Sequence, residues 1–199
     1  MQFFDELKKY QIILASNSPR RHFLLKEIGV DFTVMKPENV DENFPETLKC
    51  EEIPMYLAKL KADSLKSKIK QNDIVITADT IVWLENEAIN KPEDKEDAIR
   101  ILKKLSGKTH QVYSGICITS LEKQISFSSK SDVKFNDLSD EEINFYIEKY
   151  KPFDKAGAYG IQEWIGYIGI EYINGSFYNV MGLPIQKLYR ELKEFIAQI

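Results

Sequence analysis

An α/β fold on a mixed, twisted sheet is predicted by three features of this 199-residue chain. Short apolar strand runs alternate with amphipathic helices through the first half of the sequence. Later strand runs follow one another across short polar turns, as paired strands do. Apolar residues make up 43% of the chain, and no repeat, low-complexity tract or Pro/Gly-rich linker interrupts it. Residues 1–199 therefore read as a single domain with no visible boundary.

The elements follow in order. Ile12-Ile13-Leu14 is an unbroken apolar run and predicts a buried strand. After a small-residue turn, Ser18-Pro19 opens a helix, with serine as N-cap and proline at the first helical position. Leu24, Leu25 and Ile28 share one face of that helix, and Gly29 ends it. Residues 31–50 read as irregular and acidic, broken by Pro37 and Pro45. Pro54 predicts the start of a lysine-rich helix reaching about Lys70. Ile74-Val75-Ile76 predicts a strand ending at Asp79-Thr80, with Ile81–Leu84 continuing extended and Glu85-Asn86-Glu87 turning into Ala88-Ile89.

Beyond Pro92, Ala98, Ile101, Leu102 and Leu105 follow helical spacing up to Gly107. Two strands are expected over 110–119 and 124–135. Ser139 and Glu142 form a capping-box pattern ahead of Ile143, Tyr146, Ile147 and Tyr150. Asn174-Gly175 predicts a hairpin between residues 164–173 and 177–180. Pro184 opens a last helix carrying Ile185, Leu188, Tyr189, Leu192 and Ile196.

Composition excludes several function classes. A net charge of −4 argues against nucleic acid as a main partner, because backbone phosphates demand a dominant basic face. No apolar run approaches the length of a membrane span, and with acids at Asp5 and Glu6 and no apolar h-region, no signal peptide is expected. Cys50 and Cys117 show no paired spacing, so two free thiols in a reducing cytoplasm are expected. Two histidines are too few for a histidine-based metal site.

Several residues have a chemical reading. Arg20 and Arg21 fall in the first helical turn, where the helix dipole is already positive. Two cations beside uncapped N–H groups form an anion site suited to phosphate, although a pair of solvated arginines would give the same pattern. Asp79, at the expected strand end, is placed where α/β sheets bind ligands, a turn or cap residue being the commoner reading of a bare aspartate there. The Asp41-Glu42 pair can converge with it on a hard cation such as Mg²⁺, or can be a solvated loop pair. Lys61 belongs to a helix with four other lysines, a solvated basic face being the plainer alternative; Lys91 precedes a helix start, within reach of a phosphate. The segment 154–162 sets charges beside small residues, allowing close backbone approach to a ligand. Its Gln162 offers the donor and acceptor that reading a base edge requires. No Ser/His/Asp or Cys/His set suggests a nucleophile, so a carboxylate base with metal and phosphate clamps is the economical chemistry.

These motifs together resemble the Maf family of nucleoside triphosphate pyrophosphatases, also called septum-formation-inhibitor-like proteins. The likeness runs through Leu-Ala-Ser-Asn-Ser-Pro-Arg-Arg at 14–21, Ala-Asp-Thr-Ile-Val at 78–82, Lys-Pro at 91–92 and Leu-Ser-Gly-Lys-Thr-His at 105–110. It continues in Asp-Lys-Ala-Gly-Ala-Tyr-Gly-Ile-Gln at 154–162 and Asn-Val-Met-Gly-Leu-Pro at 179–184. The resemblance implies an elongated sheet in two lobes with a cleft between them, often as a homodimer. It implies the dTTP/UTP-cleaving branch rather than the 7-methyl-GTP branch. Asp79 resembles the proton acceptor that activates water, and Asp41 matches an acidic position near a divalent metal, Mg²⁺ or Mn²⁺. Arg20, Thr80 and Gln162 match positions of substrate selectivity, while Arg20, Lys61, Lys91 and Lys155 resemble groups holding the triphosphate; Ser18 and Arg21 belong to the same phosphate-binding motif. Two residues depart from the pattern: Glu163 and Asn90 stand where glycine is usual. The rival readings are an ITP/XTP-type housecleaning pyrophosphatase and a nucleotide-binding regulator of septum formation with little catalysis.

Overall fold

The computed structural model describes residues 2–37 and 40–199. Its helices are α1 (Gln2–Leu7), α2 (Pro19–Glu27), α3 (Glu52–Asp63), α4 (Lys95–Leu105), α5 (Asp140–Tyr150), α6 (Trp164–Gly169), α7 (Phe177–Val180) and α8 (Ile185–Ile196). The strands are β1 (Gln11–Leu14), β2 (Thr33–Val34), β3 (Asp73–Leu84), β4 (Glu87–Ile89), β5 (Thr109–Thr119), β6 (Gln124–Phe135) and β7 (Ile170–Asn174). They join in one seven-stranded sheet in the order β2-β1-β3-β5-β6-β7, with β4 paired to β3. The sheet is mixed: β1 runs parallel to β2 and β3, whereas β3–β4 and β6–β7 are antiparallel.

The chain divides into two compact units, Met1–Asp79 with Ser114–Ser129 and Gly182–Ile199, and Thr80–Tyr113 with Lys130–Met181. In the first unit, Leu14, Leu25, Ile53, Leu65, Ile74, Ile76, Ile116 and Phe195 are fully buried. Helix α3 lies close on the sheet because the facing residues are small: Ala58 and Ala62 pack against Cys117. A Cβ on Gly115 would sit 2.2 Å from the Pro54 carbonyl carbon, so only glycine admits the helix backbone there. The α1 and α8 helices meet through Phe3 and Tyr189, whose rings stand edge-on at 4.9 Å.

The second unit is centred on His110, Phe135 and Tyr159, with ring centroids 5.1 to 5.6 Å apart. Helix α4 packs against α5 and a 3₁₀ turn at Ala156–Ala158. Ser139 with Glu142 closes the predicted capping box on α5, and Asp94 caps α4 by accepting from Asp97 N at 2.8 Å, a cap the sequence reading did not name. Glu85 and Asn86 both take positive φ (51° and 69°), the geometry of a tight turn between β3 and β4.

Four expectations are corrected. Asp79 lies within a continuous twelve-residue strand rather than at its end. The parallel partner β1 pairs only as far as Leu14 opposite Ile76, so Asp79 still lies beyond the carboxyl end of that pairing. Helix α3 begins at Glu52, with Pro54 inside its first turn where no N–H partner is needed, and stops at Asp63; Lys66–Lys68 form a separate 3₁₀ turn. Residues 164–173 are a helix followed by a strand, and β7 pairs with β6, so Asn174-Gly175 is not a hairpin turn. Ser176 instead caps α7, while Gly175 makes room for Ser131 of β6, whose Oγ a Cβ would meet at 2.6 Å. Within the stretch expected to be irregular, Thr33–Val34 form a short strand, and residues 38 and 39 lie outside the described residues.

Candidate active site

Strand alternation sets the first half of the site. Thr77 and Asp79 share a face of β3, and the Thr77 hydroxyl donates to the Ala58 carbonyl at 2.6 Å. That bond fixes α3 against β3. One helical turn past Ala58, Lys61 is thereby aimed at Asp79, and its Nζ lies 2.5 Å from Asp79 Oδ1. The same ammonium is 2.8 Å from Glu42 Oε1. The Lys61 and Asp79 side chains are only 11% and 14% exposed, so this pair sits in a partly dry environment where its interaction is strong.

The loop from β1 into α2 provides a second set of groups. Ser16 organises it: its Oγ accepts from Ser18 N at 3.2 Å, and its carbonyl accepts from His22 Nε2 at 2.6 Å. Ser18 occupies the N-cap position of α2, yet its side chain makes no cap hydrogen bond. Arg21 donates from Nε to the Gly182 carbonyl at 2.8 Å and from Nη1 to the Ala78 carbonyl at 2.7 Å. It therefore ties α2 to the residue before Asp79. Burial pulls the Arg21 pKa down, Asp79 opposes that pull, and Arg20 and Glu42 act on it as well. Arg20, Arg21, Glu42 and Asp79 thus share one electrostatic neighbourhood.

Asp41 stands apart from its neighbour Glu42. Its carboxylate accepts from Asn43 N at 3.1 Å and borders a cavity of about 390 Å³ with Tyr56, Leu60 and Asp63. Among the described residues no group of three or more His, Cys, Asp or Glu side chains is arranged to hold a metal. A divalent cation held by one or two carboxylates together with substrate phosphates needs no such group. Asp79 and Glu42 supply hard oxygen donors that already converge on one cation, the Lys61 ammonium, and this donor set fits Mg²⁺ or Mn²⁺.

The second unit carries the remaining sequence-predicted residues. Thr80 is half-buried on β3, next to Asp79 and on the opposite face of the strand; Lys91 is exposed between β4 and α4. Lys155 is 8% exposed, with its ammonium 2.7 Å from Asp154 and 3.2 Å from Glu163. Gln162 is half-buried, and its Oε1 is enclosed without a hydrogen-bond partner among the described residues. Sequence reasoning missed the parts played by His22 and Tyr146. Tyr146 has the spacing of an ordinary core residue, yet its hydroxyl donates to Glu163 and accepts from Gly160 N at 2.9 Å. The unusual Glu163 was the one available signal.

Comparison with known proteins agrees with this arrangement of motifs. A family model described as "Maf-like protein" matches residues 11–195. A protein of Bacteroides thetaiotaomicron named dTTP/UTP pyrophosphatase is 57% identical, covering 94% of this chain and 97% of its own. Proteins of the same name from Parabacteroides distasonis and Flavobacterium johnsoniae are 54% and 45% identical, each covering 96% of this chain and 99% and 98% of their own. Among solved structures, a nucleoside-triphosphatase (dITP/XTP pyrophosphatase) from Mycobacterium abscessus aligns with a TM-score of 0.40 at 12% identity, covering 95% of this chain and 98% of its own. A likeness that loose says nothing about substrate.

Proposed function

The chain belongs to the Maf family, and from that premise we propose that it hydrolyses dTTP and UTP to the nucleoside monophosphate and pyrophosphate. The observation that carries the reading is the Asp79–Lys61 pair at 2.5 Å, set beside the arginines of α2. A base and a phosphate-binding cation are held together there before any substrate arrives.

The residues divide the work as follows. Arg20 and Lys61 neutralise phosphate oxygens; Ser18, at a helix start with its hydroxyl unused as a cap, adds a donor. Arg21 serves that motif as a brace, since its guanidinium is anchored on the Ala78 and Gly182 carbonyls. Asp79 orients a water and takes its proton as the oxygen attacks the α-phosphorus in line with the departing pyrophosphate. Asp79 and Glu42, which converge on Lys61, would hold a divalent cation, Mg²⁺ or Mn²⁺, that would further neutralise the phosphates; Asp41 is assigned to the metal by its motif alone. Lys91 and Lys155 are assigned to the triphosphate, and Thr80 and Gln162 to base selection, on the strength of their motifs. The enzyme is assigned to the cytoplasm as a homodimer, with neither nucleic acid nor membrane as partner; no helix among the described residues is long and apolar enough to cross a membrane.

Pyrophosphate release from a nucleotide panel with Mg²⁺ tests the proposal. Turnover of dTTP and UTP is expected, and Asp79→Asn should lower kcat by about 10²–10⁴ with binding retained. Equal inertness of wild type and variant, with nucleotide still bound, would overturn the catalytic reading. Preference for ITP over dTTP and UTP would overturn the substrate assignment.

A further inference from the structure

Glu163 links three polar groups within one segment of the second unit. Its side chain is 18% exposed, with one carboxylate oxygen 3.2 Å from Lys155 Nζ. The other accepts the hydroxyl proton of Tyr146, a side chain with no exposed surface. A carboxylate can only accept, so the phenol donates to it and keeps its oxygen for the Gly160 N–H at 2.9 Å. Burial and the Glu163 carboxylate both push the Tyr146 pKa up, which preserves the phenol as that donor. The turn also closes on itself, because Glu163 N donates to the Gly160 carbonyl at 2.9 Å. A Cβ on Gly160 would lie 2.7 Å from Glu163 Cδ, so the carboxylate's seat requires glycine there. Between these anchors lies Gln162, whose enclosed Oε1 has no hydrogen-bond partner among the described residues.

We propose that Glu163 is a positioning residue for nucleobase selection: through Tyr146 it locks the 160–163 turn, so that Gln162 presents its amide in one orientation. This rests on the reading that Gln162 meets the base edge. Uracil offers an N3–H donor beside the O4 acceptor, whereas cytosine offers an N3 acceptor beside an amino donor. A carboxamide free to rotate by half a turn satisfies either edge. Only a held amide leaves the wrong base with unpaired polar groups, and that mismatch is what discriminates. Glu163 touches no substrate in this scheme; it acts by holding Tyr146 and, through it, the turn.

The test compares kcat/KM for UTP and CTP, by pyrophosphate release, in wild type, Glu163→Ala, Glu163→Gln and Tyr146→Phe. Wild type should prefer UTP. Glu163→Ala and Tyr146→Phe should each shrink the UTP-to-CTP ratio about tenfold. Glu163→Gln keeps an acceptor for the tyrosine hydroxyl while losing the charge on Lys155, and it should hold the ratio near that of wild type. A merely structural role would lower the active fraction for both nucleotides equally and leave the ratio unmoved. Tyr146→Phe, which removes a single oxygen, keeps the test standing if Glu163→Ala fails to fold. An unchanged ratio in Tyr146→Phe would overturn the inference, as would a Glu163→Gln ratio no better than that of Tyr146→Phe. A wild type inert towards every nucleotide would overturn the underlying functional reading instead.

Discussion

Arg21 is a cation in the first turn of a helix, a place the helix dipole disfavours, and two backbone carbonyls hold it there. The planar fork of arginine reaches both acceptors at once, and a lysine ammonium cannot reproduce that geometry. Arg21→Lys should therefore destabilise the fold by about 2 kcal/mol or more, read as a lower midpoint of urea unfolding. At this scale the site was only half legible from sequence. Asp79 and the two arginines were identifiable because their local setting is chemically unusual. Lys61 was not separable from Lys59, Lys66, Lys68 and Lys70, since all five fall in one stretch of similar composition that reads as a single helix. Its distinction is tertiary: only Lys61 lies one turn beyond Ala58, the residue gripped by Thr77, and it is half-buried while the other four are exposed. For the same reason Glu42 could not be told from Asp41, although it is Glu42 whose carboxylate reaches that lysine.

Secondary-structure elements were legible wherever the information is local. The capping box of α5 and the apolar faces of α4 and α8 need only a few neighbouring residues to specify them. The segment after Glu163 was not, because Trp164, Ile165, Tyr167 and Ile168 have strand-like composition. Its helical turn depends on Gly166, where a Cβ would lie 1.8 Å from the Ile161 carbonyl oxygen. Close approach of this kind also governs α3 on β5. Gly115→Ala would drive a methyl group into the Pro54–Met55 backbone, whose atoms lie 2.2 to 2.4 Å from that position. Neither rigid element can yield, so a loss of about 3 kcal/mol or more is expected, with a lowered Tm and poor recovery of soluble protein. Because α3 carries Lys61, any residual folded protein should also show weakened nucleotide turnover.

For the whole molecule, the division into two units left no trace in composition because the chain crosses between them inside strands β3, β5 and β6 and, at Met181–Gly182, in the short turn between α7 and α8, with no long linker at any crossing. The strand residues at these crossings, Asp79-Thr80, Tyr113-Ser114 and Ser129-Lys130, lie within continuous strands, so no Pro/Gly-rich boundary signal marks them. Global stability should depend on pH through His110. Burial pushes its pKa from 6.5 down to about 3, with Nε2 held 2.8 Å from the Tyr159 hydroxyl. The unfolded chain thus binds a proton over a window in which the folded protein does not, and stability falls as pH drops through that window. Each pH unit below about 6 should remove up to about 1.4 kcal/mol, visible as a declining Tm, and His110→Gln should flatten the slope. The charge pattern has one more effect on how this protein, with a net charge of −4, receives an anion. Lys61 is internally cancelled by Asp79 and Glu42, so it exerts little pull at a distance. In the proposed role its attraction would emerge only when phosphate oxygens displace those carboxylates at contact. Capture would then be short-ranged: this lysine would sort molecules that have already arrived, and the ionic strength of the surroundings would have little hold over that choice.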